Sequence, residues 1–157
     1  MTSDMATSTT LPASSQNRSQ DRLESFGIYQ LACGLFHEFW NDSEILGKDY
    51  RGRELAKQQV RNLDSICANI EEGFGRGFGK ELPQHLKIAR GEARESRGRY
   101  ARCGLLLSPD LINQWLAILD HIIGGLTNSI NTIEAEQRRT TAVPATRHPS
   151  PVTRHDS

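Results

Sequence analysis

Between Ile112 and Ile133 the apolar residues Ile112, Trp115, Leu116, Leu119, Ile122, Ile123, Leu126, Ile130 and Ile133 recur at steps of one, three and four. Only a helix gathers such a series onto one side, because 3.6 residues complete a turn. The same period occurs three more times. Phe26 to Trp40 carries Ile28, Leu31, Ala32, Leu35, Phe36 and Phe39 on one broad face. Arg53 to Glu72 carries Leu55, Leu63, Ile66, Ala68 and Ile70, and Lys80–Pro83 opens a series of Leu82, Leu86, Ala89, Ala93, Tyr100, Cys103 and Leu107. No segment alternates as a half-buried strand does. Four amphipathic helices with short connections predict an all-α fold, an antiparallel up-and-down four-helix bundle.

The breaks between the patterns have chemistry of their own. Asn41-Asp42-Ser43 and a charged connector containing Gly47 and Gly52 separate the first two. Gly73 stands where a glycine past a helix is expected, and Pro83 suits a first turn, where its missing amide would be unpaired anyway. Ser108-Pro109-Asp110 breaks the chain again, with Asp110 as the expected cap of the fourth helix. That last helix has apolar residues flanking its main face, at Leu111, Ile118 and Ile122, a width that predicts a subunit interface. Gly124-Gly125 in its middle predicts a kink or the close approach of another segment.

Residues 23–137 form the expected folded unit. Residues 1–22 are rich in Ser, Thr, Gln and Asn, and 138–157 hold three prolines and no aromatic. Neither can bury enough apolar surface to offset the entropy of ordering, so both are expected to be disordered tails. No apolar run is long enough to cross a bilayer, and no basic-then-hydrophobic start marks a secretory signal. Three widely spaced cysteines, Cys33, Cys67 and Cys103, each lie among apolar neighbours. They argue for a reducing, cytoplasmic compartment and for small buried thiols rather than a disulfide or metal framework.

The net charge of zero hides segregation. Arg22–Tyr50 holds two basic and five acidic residues, Arg51–Arg102 twelve and seven, and Cys103–Gln137 no Lys or Arg against four acids. Charge laid out by segment bears on partners more than the total does.

Within the basic segment, Asn69–Leu82 reads NIEEGFGRGFGKEL, with Gly73, Gly75, Gly77 and Gly79 at alternate positions. A P-loop needs Ser or Thr after Gly-Lys and a preceding strand; here Gly79-Lys80 leads to Glu81 and a helix comes before. A dinucleotide fingerprint fails on the same context. The stretch reads as a joint between helices, its glycines relaxing the backbone and its phenylalanines folding over the bundle end.

Gln58, Arg61, Ser65, Ile66, Ala68, Asn69, Ile70, Glu72, Gly73, Phe74, Gly75 and Arg76 match a signature, Q-x-x-R-x-x-x-S-I-x-A-N-I-A-E-G-[YF]-G-R, of a known bacterial four-helix-bundle family. Its members were first noticed as proteins encoded in intervening sequences of large-subunit ribosomal RNA. Accessory proteins of diversity-generating retroelements are relatives by fold. Ile28-Tyr29-Gln30 resembles the family's opening V-[WY]-Q, and Lys80-Glu81-Leu82 through Gly91 resembles K-E-[FL]-x-x-x-L-x-I-A-x-G. The chain departs from the pattern at Glu71, Phe78 and Pro83, and in its arginine-rich RGEARESRGRYAR stretch. The resemblance implies a cytosolic bundle that assembles as a homo-oligomeric ring, often a pentamer, without catalytic activity. The family's fold relatives add the expectation of a setting beside a reverse transcriptase.

The binding expectation rests on charge. At ~100° per residue, Lys80, Lys87, Arg90, Arg94 and Arg97 share an arc beside the apolar face of the third helix, while Arg53, Lys57 and Arg61 repeat along the second. Such stripes suit RNA or an RNA–DNA intermediate, since phosphate contacts release condensed counterions, with Arg76 at the rim. The competing expectation is a protein-interaction scaffold, in which basic and acidic faces hold the ring together and charge reversal at Arg94 and Arg97 breaks it. Asn69 and Glu72 share a face near the end of the second helix and are expected, with Gly73 and Gly75, to hold the glycine joint. A di-iron site needs two Glu-x-x-His motifs; none of the five histidines has Glu three before it, and Glu81–His85 is one isolated pair. No metal, cofactor or membrane is called for.

Overall fold

The computed structural model describes residues 22–142, and four long helices account for most of them. They are α1 (Gly27–Leu46), α2 (Tyr50–Gly75), α3 (Glu81–Arg102) and α4 (Pro109–Thr141), with a 3-10 turn at Cys103–Leu105. No strand occurs among the described residues, so the all-α bundle expected from periodicity is the one found. The expected disorder of residues 1–21 and 143–157 lies outside the described residues.

Each seam shows its antiparallel register. Along α1 and α2, Phe26 stacks on Phe74 with centroids 5.3 Å apart, the Tyr29 hydroxyl donates to Glu71 at 2.7 Å, and Cys33 Sγ lies 3.7 Å from Cys67 Sγ. Rising along one helix therefore means descending along the other. Between α2 and α3, buried Gln59 donates to Ser96 Oγ at 2.6 Å, while Leu82 and His85 lie over Gly73. Between α3 and α4, Lys87 pairs with Glu134 and Arg97 with Asp120. The enclosed core includes Leu35, Leu63, Ile66, Ile70, Leu86, Leu119, Ile122 and Leu126. Burying each such side chain contributes roughly 1.5–3 kcal/mol. At the α1–α2 turn end, Phe39 meets Tyr100 edge-on at 5.8 Å and Tyr100 lies against Trp115 at 6.1 Å.

Several helix ends differ from expectation, each for a local reason. Asn41-Asp42-Ser43 does not break α1: Ser43 Oγ donates to the Trp40 carbonyl, Asp42 is buried, and the apolar face runs on to Leu46. Asp49 starts α2 by accepting from the amides of Arg51 and Gly52, so Gly52 lies inside the helix, close under Leu46 O and Leu106. Ser108, not Asp110, caps α4; its hydroxyl accepts from the Leu111 amide with Pro109 first in the helix, which leaves Asp110 in the first turn. Gly73 does not end α2, which continues to Gly75. A Cβ at Gly73 would come within 3.0 Å of both Leu82 and His85, so this glycine serves close helix packing. Of the joint's glycines only Gly77 takes a positive φ, +89°. The last helix runs to Thr141, past the expected boundary at 137, and so takes in Arg138 and Arg139.

The apolar width of α4 is absorbed largely within the chain: Leu111, Ile118 and Ile123 are half-buried against the core, and Ile122 is fully buried. The interface expected from that width therefore loses its argument. At Gly125 the close approach is real, from the Ile28 side chain of α1, while Gly124 has no neighbour there. The large exposed apolar groups lie elsewhere, with Trp40 at 56%, Tyr50 at 70% and Leu105 at 93% exposure.

Candidate nucleic-acid interface

The expected α3 stripe exists, but much of its charge is already engaged by α4. Lys87 Nζ lies 2.6 Å from Glu134, and Arg97 donates through Nε and Nη2 to both oxygens of Asp120, at 2.5 and 3.0 Å. Arg90 donates to Thr127 Oγ1 at 3.3 Å. The α4 partners Glu134, Thr127 and Asp120 recur every seven residues, which keeps them on one side of their helix. These pairings hold the Glu134 and Asp120 carboxyls below the usual carboxylate range and push the Arg97 guanidinium up. Arg94 sits among these residues on α3, exposed and without an ion-pair partner in the described residues.

The α2 stripe is exposed throughout. Lys57 pairs with Glu54 at 3.0 Å; Arg53 and Arg61 have no ion-pair partner among the described residues. Between the two stripes Asn62 donates to Glu92 at 2.7 Å and accepts from Arg99. That polar strip lies on the α2–α3 seam, whereas Lys87, Arg90 and Arg97 lean toward α4. The two stripes are therefore on adjacent helices without forming one continuous basic surface.

At the glycine joint Arg76 is neutralised twice, by Glu72 at 2.5 Å and Glu81 at 3.6 Å. Glu72 holds Arg76, the residue that closes α2. Asn69 does not reach the joint: its amide donates back one turn to the Ser65 carbonyl at 2.8 Å and to Ser65 Oγ. Gly75 has open space where a Cβ would be. With Glu81 directed at Arg76 and His85 packed over Gly73, the isolated Glu–His pair is not gathered as metal ligands.

A groove of about 390 Å³ between the start of α3 and the end of α4 gathers charges that sequence distance separates. Lys80, Lys87 and Arg138 line it together with Glu134, its one carboxylate. Arg90 is near enough to help lower the Glu134 carboxyl, along with Lys87 and Arg138. The Gln137 amide donates to the Gly79 carbonyl at 3.0 Å and fixes the α4 end against the joint. Arg138 escaped the sequence reading because tail composition set the boundary at 137. The signal that could have recovered it is Gln137, four residues beyond Ile133 on the same stripe, followed by two arginines where a helix C-terminus favours positive charge.

Residues 24–123, more than half of the chain, match the family model described as 23S rRNA-intervening sequence protein. No curated protein and no solved structure matches the chain.

Proposed function

The chain belongs to the 23S rRNA-intervening sequence protein family, and from that premise we propose a non-enzymatic, homo-oligomeric bundle that binds RNA or an RNA–DNA duplex at its glycine-joint end. The observation that carries this reading is the α3–α4 groove, where Lys80, Lys87 and Arg138 line the walls with the single carboxylate of Glu134 and Arg90 lies near that carboxylate. Cations crowded around one acid retain a net positive potential, and ion-paired Lys and Arg still have donors free for phosphate oxygens. Arg94, two turns beyond Lys87 on the same side of α3, adds an exposed cation farther along the helix. Arg53 and Arg61 form a secondary patch, and Arg76, held by two glutamates, contributes least.

Self-association is assigned to the opposite end. Trp40, Ile45, Tyr50 and Leu105 are exposed around the α1–α2 and α3–α4 turns, away from the groove cations, with Arg51 over the Tyr50 ring and Arg102 beside Leu105. A ring held instead by complementary basic and acidic faces has a weaker basis, because Arg97 already pairs with Asp120 of its own chain. An accessory role beside a reverse transcriptase is the setting we favour for the nucleic-acid reading; its support is the family's fold relatives alone.

The test is fluorescence anisotropy with a labelled structured RNA across a salt series. Four phosphate contacts predict a loss of roughly 100-fold in affinity between about 50 and 200 mM salt. Binding that ignores salt, or no binding at the low end, overturns the proposal.

A further inference from the structure

We propose that Cys33 and Cys67 form a reversible dithiol–disulfide site that staples α1 to α2 when the protein meets a peroxide-class oxidant. Thirty-four positions apart in the sequence, the two residues bring their sulfurs to 3.7 Å at a rung of the antiparallel α1–α2 seam. The rungs beside them, Tyr29–Glu71 and Phe26–Phe74, fix the register, so the pairing is built into the helix packing. A disulfide requires the sulfurs to close to about 2.05 Å, a movement within reach of side-chain rotation. The third cysteine, Cys103, is fully buried in the 3-10 turn after α3 and offers no competing partner.

The two thiols differ in a way that orders the chemistry. Cys33 is half-exposed and Cys67 buried. Burial pushes the Cys67 thiol up, with the nearby Cys33, Glu71 and Asp64 adding to it, so Cys67 stays protonated and Cys33 meets the oxidant first. The Cys33 sulfur attacks a peroxide oxygen: an S–O bond forms, the O–O bond breaks, and the departing oxygen takes the thiol proton and leaves as water. The Cys67 sulfur then attacks the Cys33 sulfur. The S–S bond forms, the S–O bond breaks, and the hydroxyl leaves as a second water with the Cys67 proton. Two thiols lose two electrons and the peroxide gains two.

The experiment treats the reduced full chain with excess hydrogen peroxide, then denatures it, alkylates free thiols and weighs the product. Three alkylated cysteines are expected before treatment and one, Cys103, afterwards, within a single chain lighter by two hydrogens. Dithiothreitol should restore all three. The oxidised form should melt roughly 5–15 °C higher, because the crosslink constrains the unfolded chain. Cys103→Ser should still close the bond and Cys33→Ser should not. Cys33→Ser changes a half-exposed position and so serves as control should Cys67→Ser fail to fold. Three surviving thiols, a Cys33 sulfinic acid beside a free Cys67, or a bond between two chains would overturn the proposal.

Discussion

Gly52 and Gly91 are both helical glycines with opposite reasons for being small. A Cβ at Gly52 would run into the Leu46 carbonyl, backbone that cannot swing aside, whereas at Gly91 nothing lies within 4 Å. Gly52→Ala should therefore destabilise the bundle by about 2 kcal/mol or more, and Gly91→Ala should stabilise it by up to about 1 kcal/mol through helix propensity. Urea denaturation of the two variants checks both signs. Asp42 makes a second residue-level prediction. Burial pushes its carboxyl above the usual range, and the nearby Glu38 adds to this. Where the folded form holds the proton more tightly than the unfolded one, stability falls as pH rises between the two pKa values. The penalty is absent below the unfolded pKa, about 4, and grows as pH rises toward the raised folded-state value. Asp42→Asn should accordingly be more stable than wild type near neutrality, and the advantage should shrink in acid; thermal melts across pH measure it.

At the scale of elements, the α3–α4 seam is an electrostatic zipper on the outside of an apolar one. Glu134 and Asp120 have lowered folded-state pKa values through Lys87 and Arg97, so what they add is complete above the unfolded carboxylate range and is lost as pH falls through the folded values. Both pairs are substantially exposed, so Asp120→Asn should cost little stability, and the cost should shrink further with added salt; equilibrium unfolding at two ionic strengths reads it. This seam also marks how far the sequence could be read. Helix existence and the buried faces followed from periodicity, because burial is what that pattern encodes. The spread of Lys87, Arg90, Arg94 and Arg97 along one side of α3 followed likewise. Their partners did not, since Asp120 and Glu134 are fixed by the register of two helices, which no local pattern states. Helix ends were least legible. Asn41-Asp42-Ser43 looks like a turn by composition, yet the core accepts Asp42 and carries α1 onward to Leu46. The thiol pair was hidden for the same reason as the ion pairs, being a product of α1–α2 register.

The two ends of the molecule expose different groups, although Phe78 is also exposed at the joint and Arg51 and Arg102 lie beside Tyr50 and Leu105. One end, at the α1–α2 and α3–α4 turns, exposes Trp40, Ile45, Tyr50 and Leu105; the other, at the glycine joint, gathers Lys80, Lys87, Arg90 and Arg138. Under the proposed assembly through the apolar end the groove cations would face outward, and several chains in one particle would multiply the phosphate contacts offered to a nucleic acid. Trp40→Glu with Leu105→Glu should reduce the light-scattering mass to that of one chain while leaving the helical content unchanged. The proposed binding depends most directly on which cations would meet the nucleic acid. The deciding measurement compares RNA affinity at low salt for Lys80→Glu/Arg138→Glu and for Arg53→Glu/Arg61→Glu, each checked for an unchanged melting profile. The groove pair should lose binding by at least about 100-fold and flatten the salt dependence, while the α2 pair loses roughly tenfold or less. Equal losses in both, or full binding by the groove variant, would contradict the account.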